Sequence, residues 1–270
     1  MRNKTIRIAD IRIMNDYSER KWVYQKILEQ MKPHDYLDSF KLNDYGYTRN
    51  DLAMTLWRVR NEWEARLISG DKYSVYIFCL SSDGDTLSQW RAYSDDGSGV
   101  SIGFKKEILD KLVANSLTFR LEPVEYYNED MAKKKADDIR SLVQKDIDTA
   151  DVSIDLVDSF MKYLRSDDYL MKNPAFKEEA EWRLVFLPED YEEFMVCKYN
   201  ISSLQYRATK NNIVGFREID FSQYKDEIIG EIILGPKCKI NPHIDLQEFL
   251  YCSGFTRGNI TVKSSEATYQ

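Results

Sequence analysis

Three side chains able to do chemistry stand at alternate positions of the run 176–186: Glu179, Glu181 and Arg183. Read as a strand, this run turns Ala180, Trp182, Leu184 and Phe186 toward a core. Glu179, Glu181 and Arg183 then share the other face, about 7 Å between successive members. Neighbouring carboxylates raise one another's pKa and a nearby guanidinium lowers it. That combination suits the holding of a ribose hydroxyl or a developing cation. The same pattern also describes a solvated strand face with an Arg–Glu pair, which contributes little to stability.

A second group is aromatic. Leu87, Trp90 and Tyr93 fall on one face of a short helix, either as a core stripe or as a wall for a planar ring. Gly97, Gly99 and Gly103 follow. They do not form a dinucleotide-binding G-x-G-x-x-G at a helix start, and read instead as a tight turn with close backbone approach. Asn15 and Asp16 precede a helix, where a cap is the first reading and presentation to a ligand the second. Only two histidines occur, His34 and His243, each beside a proline. Ser-His-Asp, Cys-His and His-rich metal chemistry therefore fit poorly. Carboxylates alone could serve a metal-dependent phosphodiesterase through Asp16, Glu19, Glu179 and Glu181, but no spacing demands a metal, and no metal site is assigned.

The elements that must position these groups can be read from periodicity and punctuation. A strand is expected over 5–13, a helix from Asp16 or Ser18 to about Met31, and a second from Asn50 or Asp51 to Ile68. A strand over 73–80, the short helix at 87–93 and a strand over 99–104 come next. Two helices are expected within 128–165, and strands over 181–187, 194–201, 213–221 and 228–234. A helix capped by Asn241 and stopped by Gly254, then a strand near 260–262, complete the set. This order gives an α+β fold with a mixed, mostly antiparallel central sheet and flanking helices. The expected organisation is one domain over 1–270, with a helical insertion at about 128–165.

Composition narrows the class. The chain has 270 residues, 43% hydrophobic and 31% charged, with 18 tyrosines and a net charge of −7. Lys and Arg are scattered among acids, so tight nonspecific nucleic-acid binding is not indicated. Cys79, Cys197, Cys238 and Cys252 form no C-x-x-C pair and read as reduced thiols without disulfides. No apolar run reaches the length of a membrane span and no signal peptide precedes Ile6, so a cytoplasmic location is expected.

Taken in order, these segments resemble a bacterial family known as domain-of-unknown-function family 2971. Its N-D-x-x-E segment is matched by Asn15, Asp16 and Glu19, and its strand-ending serine by Ser81. The W-x-x-Y and G-V-x-I-G-F motifs are matched by Trp90, Tyr93 and the run Gly99 to Phe104. Glu179, Glu181, Trp182 and Arg183 match E-x-E-W-R, and Ile232 to Pro236 match I-I-L-G-P. More distantly the family is similar to the ADP-ribosyltransferase fold and to proteins of phage-defence gene clusters. The resemblance implies an NAD-dependent ADP-ribosyltransferase or NAD glycohydrolase in toxin-like or anti-phage defence. It implies Glu181 as catalytic acid and Glu179 as the group orienting the acceptor. Trp90 and Tyr93 would pack near the nicotinamide, Ser81 would brace the site, and Arg183, Asn15 and Asp16 would complete the NAD contacts. The acceptor would be a protein or a nucleic acid. Relatives carry an earlier strand with Tyr, His or Arg that holds the dinucleotide, and no such segment is found before Ile6. The alternative is a non-catalytic interaction module, such as an antitoxin or regulator, paired with a protein of a defence operon.

Overall fold

The computed structural model describes residues 2–11, 17–31, 34–42, 47–69, 75–114, 116, 118–149, 155–164, 168–188, 200–209 and 213–269. Of the groups singled out above, Asn15, Asp16 and Cys197 lie outside them, as do most of the strand expected at 194–201 and the side chain of Glu19.

In chain order the elements are β1 (Thr5–Asp10), α1 (Tyr17–Gln30), α2 (His34–Asp38), α3 (Arg49–Ser69), β2 (Tyr76–Ser81), α4 (Leu87–Tyr93) and β3 (Val100–Phe104). Then follow α5 (Lys106–Val113), β4 (Phe119–Pro123), β5 (Glu125–Tyr126), α6 (Glu129–Thr149), α7 (Leu156–Leu164), β6 (Met171–Lys172) and β7 (Glu181–Phe186). The chain continues through β8 (Gln205–Ala208), β9 (Ile213–Asp220), β10 (Ile229–Leu234), α8 (Gln247–Cys252) and β11 (Thr261–Ser264). Helices α2 and α5 and strands β4, β5, β6 and β8 are additions to the elements expected from sequence. Their apolar residues are few and the runs short, so periodicity alone does not separate them from loops.

Two compact units result, each from discontinuous segments: residues 1–10, 76–123 and 178–270 make the first, and residues 11–75 and 124–177 the second. The second unit is helical. On α6, Ala132, Ala136, Ile139, Val143 and Ile147 recur at three- and four-residue spacing and are all buried, which gives one apolar stripe. That stripe joins Val23, Ile27 and Met31 of the α1 region and Phe160 and Met161 of α7 in one core.

The first unit holds the main sheet, ordered β4-β7-β2-β1-β9-β8. Every pairing in it is antiparallel. A three-stranded sheet, β11-β10-β3, lies in the same unit, its β10–β11 pair parallel and its β10–β3 pair antiparallel. The α+β class with a mostly antiparallel main sheet is thus observed. The core of this unit collects Ile6 and Ile8 of β1, Phe119, Leu184, Phe186, Ile219, Ile232 and Leu234. It also contains a guanidinium. Arg217 is 2% exposed, lies 5.0 Å over the Tyr76 ring and 5.9 Å from the Phe186 ring, and donates from Nη1 to the Ser202 carbonyl at 3.0 Å. Arg suits such a position because its planar, weakly hydrated fork stacks on rings while still donating.

Candidate functional site

The site begins with a fork in the main sheet. Strands β1 and β2 pair at Ala9–Ile77 and Asp10–Tyr76. Continuing that register would set Ile8 opposite Phe78 and Thr5 opposite Ser81. Instead β1 follows β9 from Thr5 to Ala9, and β2 follows β7 from Tyr76 to Ser81. The two arms separate beyond Ile77, and each is lined by a cavity of the first unit. The β2 arm carries one of about 780 Å³. The β1 arm carries one of about 540 Å³, lined among others by Arg2, Thr5, Ile6 and Arg7. Phe78, Ile102 and Phe104 line both. Phe78 and Phe104 meet edge to face, with centroids 6.0 Å apart, and form the partition.

The larger cavity has the size of small-molecule sites, about 300–1,000 Å³. Its walls are Phe78, Leu80, Trp90, Tyr93, Ile102 and Trp182, and its polar edge includes Ser81, Ser82, Ser101, Lys106 and Glu231. Lys106 lies 5.2 Å over the Trp182 ring and is paired with Asp110 at 2.8 Å. Glu231 is paired with Lys263 at 2.9 Å. Gly103 lets Glu231 pack against β3, since a Cβ there would lie 2.6 Å from the Glu231 Cγ. Tyr93 is 68% exposed and stands at the mouth, whereas Trp90 is 3% exposed. The Trp90 indole N–H donates to Asp85 Oδ1 at 2.6 Å. Burial opposes ionisation of Asp85, but hydrogen bonds from Ser265, the Glu266 amide and Trp90, with Lys263 nearby, outweigh it and hold the carboxyl below its usual range.

The residues nominated from sequence divide into two sets. Ser81, Trp90 and Tyr93 come together in the cavity wall. Glu179 is tethered to them: Tyr93 Oη donates to its Oε1 at 3.2 Å, and Ser81 Oγ donates to its backbone carbonyl at 2.8 Å. Glu181 and Arg183 form a separate pair. Arg183 Nε donates to Glu181 Oε1 at 2.7 Å and Nη2 to Oε2 at 3.2 Å, with the side chains 1% and 4% exposed. Neither lines the cavity, although Trp182 between them does. Alternation along β7 accounts for this, because successive side chains leave opposite faces.

Two expectations about this run are corrected. Glu179 and Glu181 do not share one strand face: Glu179 ends a 3₁₀ segment, Pro174–Glu179, and Ala180 has φ +43°. That left-handed residue, held by a hydrogen bond from the Ser82 amide to its carbonyl at 3.0 Å, breaks the strand before Glu181 and sends the two carboxylates apart. Nor is the Glu181–Arg183 face solvated. It is buried, and so is its neighbour Val185. Sequence reading missed Asp85, Lys106, Glu231 and the cavity along the β1 arm. Only Asp85 had a signal, its place in the polar loop just before α4.

Among the described residues, no group of three or more His, Cys, Asp or Glu is arranged to hold a metal ion. Among the described residues, Cys79, Cys238 and Cys252 stand outside any disulfide, and none of the described helices is long and apolar enough to cross a membrane.

The first unit is thus an antiparallel α+β unit with a forked main sheet and an aromatic-walled cavity. Residues 89–184 match the family model described as "Protein of unknown function (DUF2971)". The matched stretch contains Trp90, Tyr93, the Gly99–Phe104 run and Glu179–Arg183. No curated protein and no solved structure matches the chain.

Proposed function

We propose that the protein binds NAD in the β2-arm cavity and cleaves its nicotinamide–ribose bond, as an ADP-ribosyltransferase or NAD glycohydrolase of a bacterial defence system. The observation that carries this reading is the gathering of Ser81, Trp90 and Tyr93, nominated from sequence for the nicotinamide end, in one cavity. Five aromatic rings, Phe78, Trp90, Tyr93, Phe104 and Trp182, line it, which suits a planar ligand. In this reading the glycosidic electron pair leaves with the nicotinamide ring nitrogen. A carboxylate hydrogen-bonds the ribose as positive charge develops. Water or an acceptor then forms the new bond to the ribose carbon and releases its proton. Glu179, tethered through Tyr93, is better situated for the carboxylate role than Glu181, whose two oxygens are engaged by Arg183.

That same engagement favours a second reading, a module that binds its ligand or a defence-system partner without turnover, as an antitoxin or regulator would. Nicotinamide release from NAD by the purified chain, beside Glu179→Gln and Glu181→Gln, separates the two. Release that Glu179→Gln abolishes supports the enzyme. No release together with an NAD-dependent rise in melting temperature supports binding alone. Absence of both removes NAD from the proposal.

A further inference from the structure

The end of the chain is fastened beside the cavity at two points. Asp85 accepts from Trp90 Nε1 on one side and from the Ser265 hydroxyl and the Glu266 amide, the latter at 2.7 Å, on the other. Asp96, in the turn after α4, accepts from Tyr269 Oη at 2.8 Å and from Lys237 Nζ at 2.8 Å. The Tyr269 ring lies 4.0 Å from the Lys237 ammonium and 5.8 Å from the Arg91 guanidinium. Residues 265–269 therefore run as a strap from the end of β11 to the turn after α4. A third link enters the cavity itself: Lys263, on β11 just before the strap, holds Glu231.

We infer that Asp85 is a positioning residue that couples the seating of this C-terminal strap to the placement of Trp90 in the cavity wall. Its two oxygens serve both jobs, and they meet on Oδ1. Oδ1 holds the indole and the Ser265 hydroxyl, and Oδ2 holds the strap's backbone. A buried indole N–H must find an acceptor, because an unsatisfied donor is costly to bury. With the strap seated, the carboxylate is held from both sides and the ring is fixed in the cavity wall. With the strap released, Asp85 loses two of its three donors and is free to turn toward water, and Trp90 loses its fixed partner. The strap thereby regulates the same cavity to which the NAD reading is assigned, but the coupling does not depend on NAD being the ligand.

The indole N–H resonance of Trp90 reads this directly, without any ligand. In the 15N-labelled full-length protein it is assigned by its disappearance in Trp90→Phe. Asp85→Asn turns one of the two acceptor oxygens into an amide donor, so three donors compete for the oxygen that remains. Ser265→Ala leaves the Asp85 carboxylate in place and removes the hydroxyl's two contacts, the one it donates to Asp85 Oδ1 and the one it accepts from the Ala267 amide within the strap. The expected result is that Ser265→Ala shifts the Trp90 N–H resonance and speeds its exchange with water, while the indole resonance of Trp182 stays in place. Asp85→Asn should shift it further in the same direction. If Asp85→Asn does not fold, Ser265→Ala decides alone. A Trp90 resonance unmoved by Ser265→Ala, in a protein with wild-type melting temperature, would overturn the coupling. NAD-induced shifts measured on the same samples test the ligand reading independently: their absence, with the Trp90 response intact, fails NAD and keeps the strap.

Discussion

Glu181 and Glu179 are separated by one residue and live in different chemical settings, so they should fail differently when changed. Glu181 compensates a guanidinium that is 1% exposed. Removing one partner of a buried pair leaves an uncompensated charge and typically costs about 3–5 kcal/mol. Glu181→Gln should therefore lower stability to urea by that order, whatever it does to activity. Glu179 accepts from the exposed Tyr93, and surface substitutions usually stay within about 0.5 kcal/mol. Glu179→Gln should leave the urea midpoint nearly unchanged. Equal losses from the two substitutions would show that the burial contrast does not govern them. A nominal E-x-E motif thus contains one residue whose loss of function could be mistaken for loss of chemistry. Sequence reading could not make this distinction. Alternation is visible in the letters, but the break at Ala180 is a backbone conformation that an alanine does not announce.

At the scale of elements, hydrophobic periodicity was enough to place β1, β2, α4, β3, β7 and β10, and the Asn241 cap, whose side chain accepts from the His243 and Ile244 amides. It could not show that β1 and β2 fork, because register between distant strands is not written in either one. The glycine-proline turn after β10 is a case where the letters do carry the geometry. A Cβ on Gly235 would lie 2.3 Å from the Gly97 carbonyl oxygen, and the Gly235 amide donates to the Gly99 carbonyl at 3.0 Å. The obstacle is backbone, so nothing flexible can yield. Gly235→Ala should cost about 1–3 kcal/mol, the usual range for overpacking, and loosen its contact with the turn that follows α4. A thermal midpoint equal to wild type would contradict the close approach. The strap has its own pH signature. Asp85 faces Lys263 and Glu266, and Asp96 faces Lys237, Arg91 and Tyr269. The hydrogen bonds from Lys237 and Tyr269 hold the Asp96 carboxyl below its ordinary value of 3.8, and Asp85 is likewise lowered despite burial. A carboxyl depressed on folding contributes stability that is present above the unfolded value and is lost as pH falls through the folded one. The strap should stay seated at neutral pH and detach only below about pH 4. Tyr269 fluorescence polarisation that changes between pH 7 and pH 5 would contradict that window.

For the whole molecule, charge and cavity make a joint prediction about what kind of ligand is bound. The chain carries −7 overall, and the cavity walls are mostly apolar and aromatic. A nucleic acid gripped by its phosphates would bind with affinity that falls steeply as salt rises, through counterion release. A ligand held by ring packing and a few fixed polar contacts should lose little affinity between low and physiological salt, because buried contacts are weakly screened. The place of binding should also be visible in amide exchange. A ligand at about 100 times its Kd stabilises the state that binds it by about 2.7 kcal/mol, or about 100-fold in the opening equilibrium. Protection should therefore rise by up to that factor in β2, β3, β7 and α4, whose residues form the cavity wall. The α6 stripe packs in a core that shares none of those residues, which makes it the reference against which the rise is measured. Protection that rises on α6 while the cavity strands stay unchanged would place the ligand elsewhere and remove the fork from the functional account.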